Sequence, residues 1–331
     1  MRLTLRHAPP DTANLMIDGA GVGERPMGRL AERRRIGAYG VCRDGERVLL
    51  VRNSALAGFP GVWQLPGGAL EHAEHPAHAV VREVAEETGL TVEVTGVRAA
   101  VADVTALPDL GVTLHTDRIV FAVTATGGTL RGETNGCTDL VRWLTPDEAA
   151  AVPLMPFTAE LLGLPVTPLP HPAPRDASWQ PLDPPTDRRQ RFAAYGLVTD
   201  PAGRILLTMI ADGYPGAGRW HLPGGGTDHG EQPITGLLRE LVEEAGQLGR
   251  VTDLLFVDNL HSPAALGPEG RPLDWHGVRV VYRVRVDVPT EPMVTELAGG
   301  STARAGWFAP EQVAGLRMTE VAALATGRRG R

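Results

Sequence analysis

The chain has 331 residues, 32 basic and 39 acidic side chains, a formal charge of −7 and an apolar fraction of 43%. That length exceeds one ordinary compact core and suits two domains, and no stretch approaches the roughly 20 continuous apolar residues of a bilayer span, so no membrane is expected as partner. The acidic balance disfavours nucleic acid, whose backbone calls for a concentrated basic surface, and the absence of any lysine removes mechanisms built on a lysine base or Schiff base.

Residues 1–34 show no periodicity and are read as a lead-in; "MRLTLRHAPPDTANLM" lacks a basic-then-apolar signal, which points to the cytoplasm. Its basic run, Glu32 to Arg35, is read as solvated, and Cys42 and Cys137 as small apolar fillers in a reducing compartment. From Ala38, "AYGVCRDGERVLLVR" predicts strand, polar turn and strand, followed by "VWQLPGGALEHAE" from Val62. Pro76 at a first helical position and Gly89 at a left-handed terminus predict a helix between them. Its apolar residues Ala77, Val80, Val81 and Val84 recur at helical spacing and form a core-facing stripe. "NGCTDLVRWLTPDE" from Asn135 then predicts a strand ending at Trp143 and a short helix.

Residues 164–189 are dense in proline and predict a semi-extended connector, which separates a first domain, 35–163, from a second, 190–331. The second repeats the first in order. "AYGLVTDPAGRILLTM" begins at Ala194, "RWHLPGGGTDHGE" at Arg219 and "GGSTARAGWFAPEQ" at Gly299. Its helix is expected from Pro233 to Gly246, with Ile234, Leu237, Leu238 and Leu241 as its stripe.

Off each stripe stand three glutamates at i, i+3 and i+4: Glu83, Glu86 and Glu87, then Glu240, Glu243 and Glu244. Three carboxylates so close repel one another and raise each other's pKa unless a cation compensates. Hard oxygen ligands suit Mg²⁺ or Mn²⁺. The glycine pairs Gly67-Gly68 and Gly224-Gly225 follow a strand, where backbone without side chains can approach a metal or phosphate. The implied chemistry is metal-assisted attack of water on a phosphoanhydride.

From Gly68 to Leu90 the sequence fits G-x5-E-x7-R-E-U-x-E-E-x-G-U, with U a bulky aliphatic, and so resembles the Nudix box. Gly225 to Gln247 fits it too, except that Gln247 stands at the final aliphatic position. The resemblance implies two tandem Nudix-type α/β/α sandwich domains with mixed β-sheets and hydrolysis of a small-molecule nucleoside diphosphate derivative. Carried over by position, it makes Glu83, Glu86 and Glu87 the metal ligands with a Gly68 carbonyl, and Glu240, Glu243 and Glu244 with Gly225 in the second copy. Glu83 and Glu240 would serve as bases; Arg82 and Arg239 are counted with the catalytic groups as orienting residues, supported by Glu74 and Glu231. The expected assembly is a monomer whose halves form an intrachain pseudo-dimer, or a homodimer.

Outside the box the signals thin. Tyr39 and Tyr195 could stack on a base, although buried aromatics with bonded hydroxyls are the plainer reading. Asp139 could add a carboxylate near the first site, where the second copy has Ala303. Pro263 lies at an offset that resembles ADP-ribose hydrolases, against an ordinary loop proline; the first copy has Ala106 there. His72, His75 and His78 recur every three residues without a matched further ligand, and are read as solvated or orienting histidines. The alternative for the whole chain is a nucleotide-binding sensor or scaffold with one or both domains non-catalytic.

Overall fold

The structure, a computed structural model, describes residues 30–134, 136–170, 172, 187–266, 272–295 and 300–327. The first half runs β1 (Ala31–Asp44), β2 (Arg47–Asn53), β3 (Trp63–Gln64), β4 (Gly67–Ala69), α1 (Pro76–Thr88), β5 (Leu90–Leu107), β6 (Val112–Gly128), β7 (Thr138–Leu144), α2 (Pro146–Ala150) and α3 (Pro156–Leu162). The second runs β8 (Arg188–Thr199), β9 (Ile205–Ile210), β10 (Trp220–His221), β11 (Gly224–Gly226), α4 (Pro233–Ala245), β12 (Arg250–Leu266), β13 (Pro272–Arg285), β14 (Thr302–Phe308), α5 (Pro310–Val313) and α6 (Glu320–Ala325). The turn at Gly45, with φ +59°, lets β1 reverse into β2 in two residues.

Each half builds a seven-stranded mixed sheet. The first has the order β3-β2-β1-β6-β5, with β4 on β1 and β7 on β2; the second repeats it as β10-β9-β8-β13-β12, with β11 on β8 and β14 on β9. The central pairs β1/β6 and β8/β13 are parallel, and the other pairs are antiparallel. Alternation along the strands divides each core into two layers. Ala38, Cys42, Leu49 and Val51 meet Val80 and Val84 of α1. Their neighbours Tyr39, Val41, Val48 and Leu50 meet Ala149 of α2 and Phe157 and Ala159 of α3 on the other face. The second half stacks α4 on one face and α5 with α6 on the other, through Leu237 and Leu241, and through Val313, Val321 and Ala322. These are two α/β/α sandwiches, as the resemblance implied.

Both box helices start at their prolines and stop at their glycines, with φ +71° at Gly89 and +65° at Gly246. The stripe differs in detail. Ala79, Val80 and Val84 are fully buried while Ala77 and Val81 are only partly so, and Ile234 is exposed, because the covered face is centred one residue row away. Glu87 and Glu244 continue that buried face, three residues beyond Val84 and Leu241. Gln247, the departure at the end of the second box, is buried and fully engaged. Its amide donates to Ala245 O (2.9 Å) and Thr290 Oγ1 (2.9 Å) and accepts from Thr290 N (3.0 Å), which ties the chain after β13 to the end of α4.

β1 begins at Ala31, four residues before the expected start of the first domain, and the basic run lies in that strand with Glu32, Arg33 and Arg34 exposed, in keeping with a solvated segment; residues 1–29 and most of the connector lie outside the described residues. Arg35 donates to the Tyr39 hydroxyl (3.2 Å), and Arg34 crosses to the other half. Cys42 is buried as expected, but Cys137 is exposed. Among the described residues no helix is long and apolar enough to cross a membrane.

The halves pack on each other within the chain. One apolar cluster runs from the α1 layer into the α4 layer, and the Gln232 amide pairs with both backbone groups of Ala102. Arg34 bridges Asp117 (2.7 Å) to Thr227, and Gly230 N donates to His115 Nδ1 (2.7 Å). Each loop between the glycine pair and the box helix thus docks on the long hairpin of the opposite half.

Candidate metal and hydrolysis sites

The geometry at each box starts from glycine. Gly67 has φ +143° and Gly224 +129°, a region L side chains avoid, and a Cβ at either would collide with the carbonyl of Ala38 or Ala194 on the adjoining strand. That conformation turns the Gly67 N–H inward, where it donates to Glu87 Oε2 at 2.8 Å; Gly224 N donates to Glu244 Oε2 at the same distance. Gly68 and Gly225 then leave room for the next carboxylate. A side chain at Gly68 would stand inside the Glu83 carboxylate, and one at Gly225 would lie 2.7 Å from Glu240 Oε1.

One arginine organises the other acids. Arg82 holds Glu74 through two bonds of 2.9 and 2.8 Å, and reaches Glu83 (2.9 Å), Glu86 (3.3 Å) and the Ala69 carbonyl (3.2 Å). Arg239 repeats this with Glu231, Glu240, Glu243 and Gly226 O, at 3.0 to 3.2 Å. The planar fork explains why arginine rather than a point charge stands here.

Electrostatics separate the acids by role. The Arg82 guanidinium holds the Glu74 carboxyl below the usual range, which suits a permanently ionised support. Burial lifts Glu83 above that range against the pull of Arg82. Burial lifts Glu87 much further, opposed by the Gly67 N–H and assisted by the charges of Glu83, Glu133 and Glu86. One guanidinium thus bonds Glu74, Glu83 and Glu86, with the carboxyls of Glu87 and Glu133 beside them, more acid than it can offset.

That last neighbour was not legible in the sequence. Glu133, after β6, accepts from Thr138 N and Oγ1 at 3.3 and 3.2 Å and adds its charge beside Glu87. Asp139, the acid expected in this role, instead pairs with Arg52 at 2.8 and 3.1 Å, its side chain alternating to the other face of β7. In the second half, Thr302 occupies the Thr138 position and donates directly to Glu244. The counterpart segment 296–299 lies outside the described residues.

Of the remaining expectations, Tyr195 keeps the box carboxylates Glu244 and Glu240 among its neighbours. Tyr39 is buried against Phe157, with ring centroids 4.9 Å apart. Tyr195 packs edge-on to His221 at 4.7 Å. Both fit the core-aromatic reading. Pro263 is exposed at an irregularity in edge strand β12, where a residue without N–H costs no ladder bond, so it is a strand proline rather than a loop one. His75 caps α1 by accepting from Ala77 N (3.1 Å).

The two glycines of the first pair should separate folding from chemistry. Gly67→Ala is expected to lower Tm, since its Cβ meets backbone. Gly68→Ala meets only a movable carboxylate, so it should melt near the parent while displacing Glu83 and cutting first-site turnover on the order of 10²-fold. Thermal melts beside assays in a Glu240→Gln background check this; equal losses of Tm in both variants would contradict it.

Comparison with known proteins agrees with this duplicated geometry. A family model described as NUDIX domain matches residues 31–163 and again 189–326. A MutT-like protein of Streptomyces ambofaciens is 37% identical over 110 residues, covering 33% of this chain and 62% of that protein. An ADP-ribose pyrophosphatase of Methanocaldococcus jannaschii is 35% identical over 92 residues, covering 28% and 52%. The matched region thus spans under two thirds of either relative's length. A crystal structure of a MutT NUDIX hydrolase from Burkholderia pseudomallei aligns at 27% identity over 43% of this chain and 99% of that one, with a TM-score of 0.32. With both box helices, both glycine cradles and both matched segments in place, the chain belongs to the NUDIX domain family, which it carries twice.

Proposed function

We propose that the chain is a divalent-metal-dependent pyrophosphohydrolase, cleaving a phosphoanhydride of nucleoside diphosphate derivatives such as nucleotides, ADP-ribose or nucleotide sugars at each of two sites. The observation that carries this reading is the surplus of carboxylate at the glycine cradle. Glu83 and Glu86 share one arginine with Glu74, and Glu87 lies buried beside them on the Gly67 N–H, in surroundings that disfavour uncompensated charge. Hard oxygens of this number fit Mg²⁺ or Mn²⁺, and Glu240, Glu243 and Glu244 repeat the set. Bound there, the metal would neutralise phosphate charge and make water a better nucleophile.

The chain's own groups supply the rest. Glu83, raised above the usual carboxyl range by burial, is suited to accept the proton of the attacking water, and Glu240 stands in its place in the second half. Arg82 and Arg239 fix the carboxylates from behind, and Glu74 and Glu231 keep those arginines aimed. The Gly68 and Gly225 backbones let Glu83 and Glu240 lie directly against the strand, where a side chain would displace them.

The test is turnover by the full chain with Mg²⁺ on nucleoside triphosphates, ADP-ribose, dinucleotides and nucleotide sugars, with phosphorus NMR identifying the products. Monophosphate with a second phosphorylated fragment, and loss of turnover on chelation, are expected. Silence across the panel together with measurable binding would replace this reading with a nucleotide-binding scaffold.

A further inference from the structure

The interface between the halves repeats one pair of histidine contacts, and a departure beside one of them carries a site. His72 and His229 occupy the same place in the repeat, each two residues before its box glutamate, Glu74 or Glu231. Each projects from its loop onto a strand histidine of the opposite half: His229 onto His115, His72 onto His276, both with ring centroids 5.4 Å apart. His115 and His276 are equivalent too, since they lie opposite Arg34 of β1 and Gln190 of β8 in matching parallel register.

Beyond that shared contact the sides diverge. Next to His276 on β12 and β13 stand His261 and Asp274; the matching positions beside His115 are Val104 and Thr113. Val104 presents a methyl group toward Gly230, 3.8 Å from where a Cβ would stand. Among the described residues, the His72 side is the one that gathers three donor groups within reach of a single ion.

There, His72 Nε2 lies 3.0 Å and His261 Nε2 2.8 Å from the same oxygen, Asp274 Oδ1, and all three atoms fall within 4.8 Å of one another. His72 Nε2 is buried and the Asp274 carboxylate faces it, as it faces His261, so both imidazoles turn a nitrogen toward one oxygen. A tetrahedral ion with bonds near 2.0 to 2.1 Å separates its ligand atoms by about 3.3 Å, so admitting one opens the two contacts to Asp274 by a few tenths of an ångström and turns the two imidazole nitrogens, within 4.8 Å, about the ion. Arg188 lies 3.5 Å from the other Asp274 oxygen, which favours presentation of Oδ1. His276 is occupied on both nitrogens, by Asn259 (2.7 Å) and Gln190 (3.0 Å), and acts as the wall that orients His72.

We propose that His72, His261 and Asp274 form a transition-metal site, of the Zn²⁺ class, that bridges the two halves and is separate from the carboxylate sites of the boxes. Two imidazoles with one carboxylate select Zn²⁺ over Mg²⁺, and the exposed side of His261 leaves a fourth position for water. The occupied site clasps the loop that also carries Glu74 to the hairpin of the second half. Sequence alone could not pair these groups, because two of the three come from the other repeat.

The test uses the full chain, stripped with chelator and titrated with Zn²⁺ by calorimetry in millimolar Mg²⁺ to saturate the boxes, with Co²⁺ absorption as the spectroscopic probe. One ion per chain is expected, with a Tm rise. His261→Gln and Asp274→Asn should weaken binding by more than about a hundredfold and remove the Tm rise, while Glu83→Gln with Glu240→Gln leaves both intact. Because His261 is exposed, its variant should melt near the parent without metal. Zn²⁺ binding that is unchanged in His261→Gln, or lost with the box glutamates instead, overturns the proposal. So does absence of binding, which leaves the three groups as a histidine-carboxylate clamp.

Discussion

Replacing both Glu83 and Glu240 by glutamine should remove nearly all hydrolysis, while either single change leaves the other site working. Each glutamate lies against a glycine that has no side chain to hold it off, and receives one arginine bond that fixes its direction. Burial keeps Glu83 above the usual carboxyl range, so it is a better proton acceptor near neutral pH than an exposed glutamate. Glutamine preserves the shape and can still accept the arginine bond, but it takes no proton. The expected loss at each site is about 10² to 10⁴-fold in kcat, with KM little changed. The single variants should lose unequal shares, because Thr302 reaches Glu244 directly while Thr138 holds Glu133. Steady-state assays of both singles and the double with Mg²⁺ decide the matter. A double variant that turns over at the parent rate would remove both glutamates from the chemistry.

What the sequence carried most clearly was local. Pro76 and Gly89 bound one helix, Pro233 and Gly246 the other, because both residues act through their own backbone dihedrals and need no distant partner. The box glutamates were legible for the same reason. Their inequality was not. Spacing places Glu87 beside Glu83 and Glu86, yet the same spacing continues the row of Val80 and Val84, and only the packed sheet decides that Glu87 is buried. Asp139 and Glu133 show the limit from the other side. Both lie in one short acidic stretch, and strand alternation sends Asp139 to Arg52 while the preceding loop brings Glu133 to the site. Gln247 broke an aliphatic pattern, and only the fold shows that Thr290, far along the chain, meets its amide. The contacts between halves, Arg34 to Thr227 and Gln232 to Ala102, follow no local period at all.

The burial of Glu87 leads to the second large effect, which separates stability from activity. A carboxyl whose folded pKa lies above its unfolded value favours the native state fully at pH below the unfolded value, and that contribution is lost as pH rises through the folded one. At neutral pH the metal-free protein must therefore either keep a proton on Glu87 or bury its charge. Glu87→Gln removes that choice while retaining an oxygen for the Gly67 N–H. It should stabilise the metal-free protein at neutral pH by on the order of 1 to 3 kcal/mol, with the gain vanishing toward pH 4. The same change should cut first-site turnover and shrink the Tm rise that Mg²⁺ gives. Glu244→Gln should gain less, since Glu244 has a second donor in Thr302 that already supports it. Thermal melts from pH 4 to 8, with chelator and with Mg²⁺, measure every term. A Glu87→Gln protein that melts below the parent at neutral pH without metal would mean that the buried charge is already compensated by the protein, and that the cradle does not need a cation.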